Sequence, residues 1–246
     1  MTGATRLQLG TSRLEHLDRR VLDAFADPSW IHLGDAEPAA PAPLSQRLLE
    51  HARRGPLHLV RGGVASLRAR SHRVGEADAA ALYRRTDFRS FYFRKGDRLS
   101  FPDGSFHYVF SEHFLHHLFF DEAHALLREC FRILAPGGVL RTVVPDADLR
   151  TYEPPEPAGF PDPRMPFTAP LKHKTRYSVY LLAEALRLAG FRPVPLRFCD
   201  RDGNYVRHDP GTMHDTYAGC PEKRFVFELD HVMRLDSLIV DGVREG

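Results

Sequence analysis

The chain reads as an α/β protein: a doubly wound, mostly parallel sheet with an inserted helical segment and an antiparallel last strand. Three observations predict this fold. Short apolar runs alternate with amphipathic stretches along most of the chain, the pattern of repeated βα units. Val139–Val144 is a near-continuous apolar run, as the buried centre of a parallel sheet requires. Pro136-Gly137-Gly138 separates that run from a helix-patterned segment.

The elements follow in chain order. Arg6–Gly10 is a first strand, and Ser12–Phe25 places Leu14, Leu17, Val21, Leu22 and Phe25 at helical spacing. Ser12 can cap that helix, with Glu15 completing a capping box. Trp30–Leu33 is the next strand, ending at Gly34-Asp35. The proline-alanine stretch Ala36–Pro43 opens an insertion or elaborated crossover over Ala36–Arg89, with a helix at Leu44–Arg54 and a strand at Leu57–Val60. Ser90–Arg94 and His107–Ser111 are strands. Asp121–Leu134 is a helix capped by Asp121, with Ala125, Leu126, Cys130, Phe131 and Leu134 facing inward. Residues 145–170 are proline-rich and long for a loop, which marks a lid. Tyr177–Ala189 is a helix closed by Gly190, and Pro193–Cys199 and Leu235–Val243 are the last strands.

Composition bounds the function. At 246 residues, the chain is expected to form one domain, 1–246. Its 34 basic and 32 acidic residues leave a net charge of +2, which provides no general attraction to nucleic acid. No apolar run is long enough to span a bilayer, and the N-terminus has no signal-peptide pattern, so a cytoplasmic protein is expected. The widely spaced Cys130, Cys199 and Cys220 suggest buried thiols rather than disulfides or a zinc knuckle.

The densest motif is LSFPDGSFHYVFSEHFLHHL followed by LRECFRILAPGGVLRTVVPD, spanning Leu99–Asp146. With the "HKxxY…LxEALxxAGF" element at His173–Phe191 and the closing "SLIVDxxK" element at Ser237–Arg244, it resembles a bacterial group of small class I S-adenosylmethionine-dependent methyltransferases. The resemblance is strong over Gly96–Phe198 and thin before residue 90. It implies methyl transfer from S-adenosylmethionine to a small-molecule acceptor, by O- or N-methylation, in a sugar, glycan or secondary-metabolite pathway. An alternative is a methyltransferase fold kept as a binding module, or turned to non-methylating chemistry, because the first loop lacks the family's second glycine. Oligomeric state is not legible.

In a doubly wound sheet, ligands lie beyond the carboxyl ends of the strands, where the strand order reverses. By that rule Leu9-Gly10-Thr11 is the first cofactor loop and Asp35 the ribose ligand. A second alignment makes Trp30–Ala36 the first strand and loop, and Leu57–Val60 the second strand. The resemblance places Asp97 at the adenine amino group, with Gly96, Arg98 and Leu99 beside it. Ser111 and Glu112 follow the fourth strand, where family members line the cofactor and acceptor.

His113, His116 and His117 stand at i, i+3 and i+4 and would share one face of a helix. Imidazole is the usual general base near neutral pH. His113 is therefore the first candidate base and His173, following the lid, the second. His116, which replaces a family glutamate, His117, Asp146 and Tyr177 are candidate substrate contacts. No HExxH pattern is present, so no metal is expected. His32, His51, His58, His72 and His124 read as solvated or core-flanking. His208, His214, His231, Tyr205 and Tyr217 fall in an irregular C-terminal region that could line an acceptor pocket.

Overall fold

A computed structural model describes residues 5–11, 24–34, 85–149 and 173–246. Its strands are β1 (Arg6–Thr11), β2 (Trp30–Gly34), β3 (Asp87–Ser90), β4 (Phe106–Glu112), β5 (Leu134–Val144), β6 (Arg192–Cys199), β7 (Tyr205–Arg207) and β8 (Leu238–Val243). They form a single sheet in the order β3-β2-β1-β4-β5-β8-β6-β7. β1 to β5 run parallel, β8 is antiparallel to both β5 and β6, and β7 adds an antiparallel edge. The order reverses between β1 and β4, which is the switch point of a doubly wound sheet. The central place of Arg6–Thr11 selects the first of the two alignments: Trp30–Gly34 lies one strand further out, between β1 and β3.

Strand β4 divides the interior into two cores. Val109 joins the core under helices α1 (Phe120–Ile133) and α2 (Val179–Leu188), and the register shift between Phe106 and Tyr108 brings Phe106 to the same side. Tyr108 and Phe110 point to the opposite face, toward Phe25, Trp30 and the short helix α3 (Lys223–Phe227). On α1 the buried positions are Ala123, Leu126, Leu127, Cys130 and Ile133, one stripe at helical spacing. Ala125 and Phe131 are only partly buried at its margin, and Leu134 already opens β5.

Several boundaries differ from the sequence expectation for local reasons. The third strand is Asp87–Ser90, not Ser90–Arg94, because its ladder needs β2 and β2 ends at Gly34, opposite Ser90. Helix α1 begins one residue early: Phe119, not Asp121, is the N-cap, and Glu122 Oε2 accepts the Phe119 N–H at 3.0 Å. Asp121 instead lies in the first turn, where its charge still suits the helix dipole. The Pro-Gly-Gly segment is an interruption within the span of β5. Leu134 pairs with Phe106 and Val139 with Tyr108, and Gly137 turns between them at φ 79°. Helix α2 closes as expected, with Gly190 at φ 105° and the Phe191 N–H reaching the Leu186 carbonyl.

The three cysteines are buried free thiols. Ser12, most of the Ser12–Phe25 helix, Asp35, residues 36–84 with His51, His58 and His72, and residues 150–172, which include most of the expected lid, lie outside the described residues.

Candidate active site

The site is built at the carboxyl ends of β1 and β4. A register shift between Leu9 and Thr11 leaves Gly10 as an extra residue at φ 71°, a backbone state that favours glycine. A Cβ there would lie 2.1 Å from Phe114 Cγ, so the phenyl ring covers this glycine directly. Leu9 itself is buried in the core, in register with Ser111 of β4. The Ser111 hydroxyl is buried and has no hydrogen-bond partner among the described residues. A left-handed glycine beside an orphaned hydroxyl at the switch point fits the polar end of a bound nucleoside-amino acid cofactor.

Beyond β3, Gly96 has a positive φ of 97° with open space around it. Asp97 closes its own turn: its carboxylate accepts the Arg94 N–H at 2.7 Å, and its N–H reaches the Arg94 carbonyl. Arg98 is exposed and reaches toward Asp103 at 3.6 Å. Leu99 is buried, and its backbone is clamped to α1 by Glu129 and Arg132.

Glu112 and His113 are both claimed by the segment that precedes β8. Glu112 Oε1 accepts the backbone N–H groups of Met233 and Arg234 at 3.0 and 3.1 Å. Burial nonetheless pushes its carboxyl up to about 7, because those two donors only partly replace lost water. His113 takes φ 50°, which ends the strand and turns its ring toward the same segment. The Arg234 guanidinium lies 3.2 Å from Nδ1, and Ser237 Oγ lies 3.1 Å from Nε2. A guanidinium can only donate, so Nδ1 is the acceptor and Nε2 carries the proton. Arg234 lies in an irregular stretch without periodicity, and Ser237, although it opens the closing motif, carries no sequence signal of its contact with His113, a residue remote in the chain.

His116 and His117 do not share a helical face with His113. Only the 3-10 turn Leu115–His117 forms, and it follows the left-handed His113. These two rings turn instead toward His173, with centroid separations of 4.0 Å (His116–His117), 4.3 Å (His116–His173) and 5.4 Å (His117–His173). Backbone bonds hold the two segments together: Lys174 and Thr175 N–H groups both reach the His116 carbonyl, and Thr175 Oγ1 donates to the Leu118 carbonyl at 2.7 Å.

Asp146 braces the tops of β5 and β6. One carboxylate oxygen accepts the Cys199 N–H at 2.6 Å and the other the Asp148 N–H at 3.1 Å. Burial raises its carboxyl above the ordinary value despite those donors. Tyr177 forms a bridge with Asp146 and packs into the core beneath α2. The C-terminal residues His231 and Tyr217 are both buried, His231 against the Tyr108 hydroxyl and Tyr217 donating to Asp241. His32 is likewise wholly buried, between Gln8 and the Phe25 carbonyl.

A family model described as a methyltransferase domain matches residues 64–142, about a third of the chain. No curated protein matches. Among solved structures, the chain is similar to the putative methyltransferase crystallised with the Trm112 methyltransferase activator of Haloferax volcanii, at 19% identity and TM-score 0.48, covering 99% of this chain and 84% of that one. It is also similar to an S-adenosylmethionine-dependent methyltransferase from Mesorhizobium loti, at 17% identity and TM-score 0.44, covering 98% and 91%. A third, from Aquifex aeolicus, shares 13% identity at TM-score 0.45, covering 98% and 82%. Among the described residues, no helix is long and apolar enough to cross a membrane.

Proposed function

We propose that the chain is a class I S-adenosylmethionine-dependent methyltransferase, a reading supported by the methyltransferase-domain model matched over residues 64–142, and that it transfers the methyl group to a hydroxyl or amine of a small-molecule acceptor. One observation supports this reading above the rest: the imidazoles of His113, His116, His117 and His173 gather beyond β4, beside the switch point marked by Gly10. When bound, the cofactor supplies an electrophilic methyl group. The protein then has to hold the acceptor in line, exclude water and remove the acceptor's proton.

In this reading Leu9, Gly10, Thr11 and Ser111 hold the cofactor at the switch point, with Asp35 on the ribose and the Gly96-Asp97 turn at the adenine. The proton is taken up at the His116–His117–His173 cluster. His113, with one nitrogen facing Arg234 and the other Ser237, acts as a positioning residue that fixes the segment before β8 over the acceptor side. Glu112 secures the same segment through two backbone N–H groups. Asp146 and Tyr177 shape the acceptor end rather than react.

Isothermal titration with S-adenosylhomocysteine tests the cofactor half, and transfer of labelled methyl from S-adenosylmethionine into a small-molecule extract tests the acceptor half. Saturable binding with label in small molecules supports the proposal. Absence of binding overturns it in favour of a fold retained for another purpose, and label found only in macromolecules overturns the acceptor class.

A further inference from the structure

We propose that His116, His117 and His173 form a binding site for one divalent transition-metal ion of the zinc class. Each residue offers one ring nitrogen, and the three nitrogens all lie within 4.8 Å of one another. Tetrahedral zinc with Zn–N distances of about 2.0–2.1 Å needs donor nitrogens about 3.3 Å apart, a gap that small side-chain rotations close. Three neutral imidazoles are a borderline-soft donor set; they suit zinc, cobalt or copper, whereas magnesium and calcium prefer oxygen.

The site is braced by backbone rather than by the rings alone. Two N–H groups on the His116 carbonyl and the Thr175 hydroxyl on Leu118 fix the histidine-bearing segments against each other. His116 and His117 are buried and His173 is half-buried, so the cluster opens on one side. The neighbouring ammonium of Lys174 is directed away, over the Phe119 ring at 4.8 Å. His113 is not a fourth ligand, since its acceptor nitrogen faces Arg234. Three protein ligands and one open position is the arrangement of catalytic rather than structural zinc. With the ion bound, the three imidazoles would serve as ligands in place of proton acceptors; an acceptor oxygen entering the open position would be acidified and give its proton to solvent water. This last consequence rests on the methyl-transfer reading; the metal site itself does not.

The test uses the full chain, free of any affinity tag and stripped with a chelator, titrated with cobalt chloride and with zinc chloride against a chromophoric competitor. The proposal expects one ion per chain and the intense visible bands of tetrahedral cobalt. It also expects affinity to fall at least about tenfold in His116→Gln and His173→Gln, and to stay unchanged in His124→Gln. A cobalt spectrum that remains that of the hydrated ion overturns it, as does wild-type affinity in both cluster variants. If His116→Gln fails to fold by circular dichroism, the wild-type cobalt spectrum and His173→Gln decide. Because neither readout involves methyl transfer, loss of the functional reading and loss of the metal site are separate results.

Discussion

His173 lies edge-on to His116, their ring centroids 4.3 Å apart, although helix α1 and strand β5 both lie between them in the chain. The contact depends on Thr175, whose hydroxyl is tied to the Leu118 carbonyl. Thr175→Val leaves that buried carbonyl without its donor, at a cost of about 1–2 kcal/mol. Thermal denaturation is expected to fall by a few degrees. Cobalt binding is expected to weaken in step, and cobalt titration of the variant checks it.

Gly10 and Phe114 are a coupled pair. Gly10→Ala places a methyl group against the phenyl ring and a Cβ on a left-handed backbone, for a combined loss of at least about 2 kcal/mol. Phe114→Ala opens the space but leaves a cavity. The double variant is expected to be less destabilised than the sum of the two, and a denaturant-unfolding cycle measures that coupling. S-adenosylhomocysteine binding is expected to fail in Gly10→Ala.

Arg141 and Asp241 form a bidentate ion pair that is wholly buried, with Arg141 also donating to the Phe225 and Val226 carbonyls. Breaking such a pair strands a charge. Asp241→Asn is expected to cost about 3–5 kcal/mol, read as a shift of the urea midpoint at unchanged slope.

Glu112 sets a pH dependence of definite sign. Its carboxyl titrates near 7 in the fold against about 4.5 in the unfolded chain, so between those values the folded state binds more protons and stability falls as pH rises. Glu112→Gln, which keeps an acceptor for the two N–H groups, is expected to stabilise at pH 8 by up to about 3 kcal/mol and to have little effect at pH 4. Melting curves of both proteins across that range check it.

His32 acts in the opposite sense. Burial lowers it to about 4 from 6.5, so the unfolded state takes up the proton first and stability is lost as pH falls from 6.5 toward 4. His32→Gln is expected to flatten the acid limb of the stability profile, measured by urea unfolding at successive pH values.

Much of the fold was legible because it is written in local pattern. The apolar run Val139–Val144, the buried Leu126 and Cys130 of α1 and the Gly190 that closes α2 each follow from periodicity or capping alone. Where local pattern fails, the cause is local too. The pattern points to Ser90–Arg94 as a strand, but only the partner β2 says where the β3 ladder stops. The spacing of His113, His116 and His117 implies a helical face that a single left-handed residue removes.

The candidate site was less legible, for a reason of distance. Motif and spacing marked Gly10, Ser111, His116 and His173 as separate positions, and they established a doubly wound sheet with its ligand side beyond the strand ends. Tertiary structure alone decided that Arg6–Thr11 is the central strand, that Arg234 and Ser237 hold His113, and that His173 joins His116 and His117. Those relations are contacts between residues remote in the chain. No periodicity encodes them; they arise only when parallel strands bring their carboxyl ends, and the loops that follow, to the same edge.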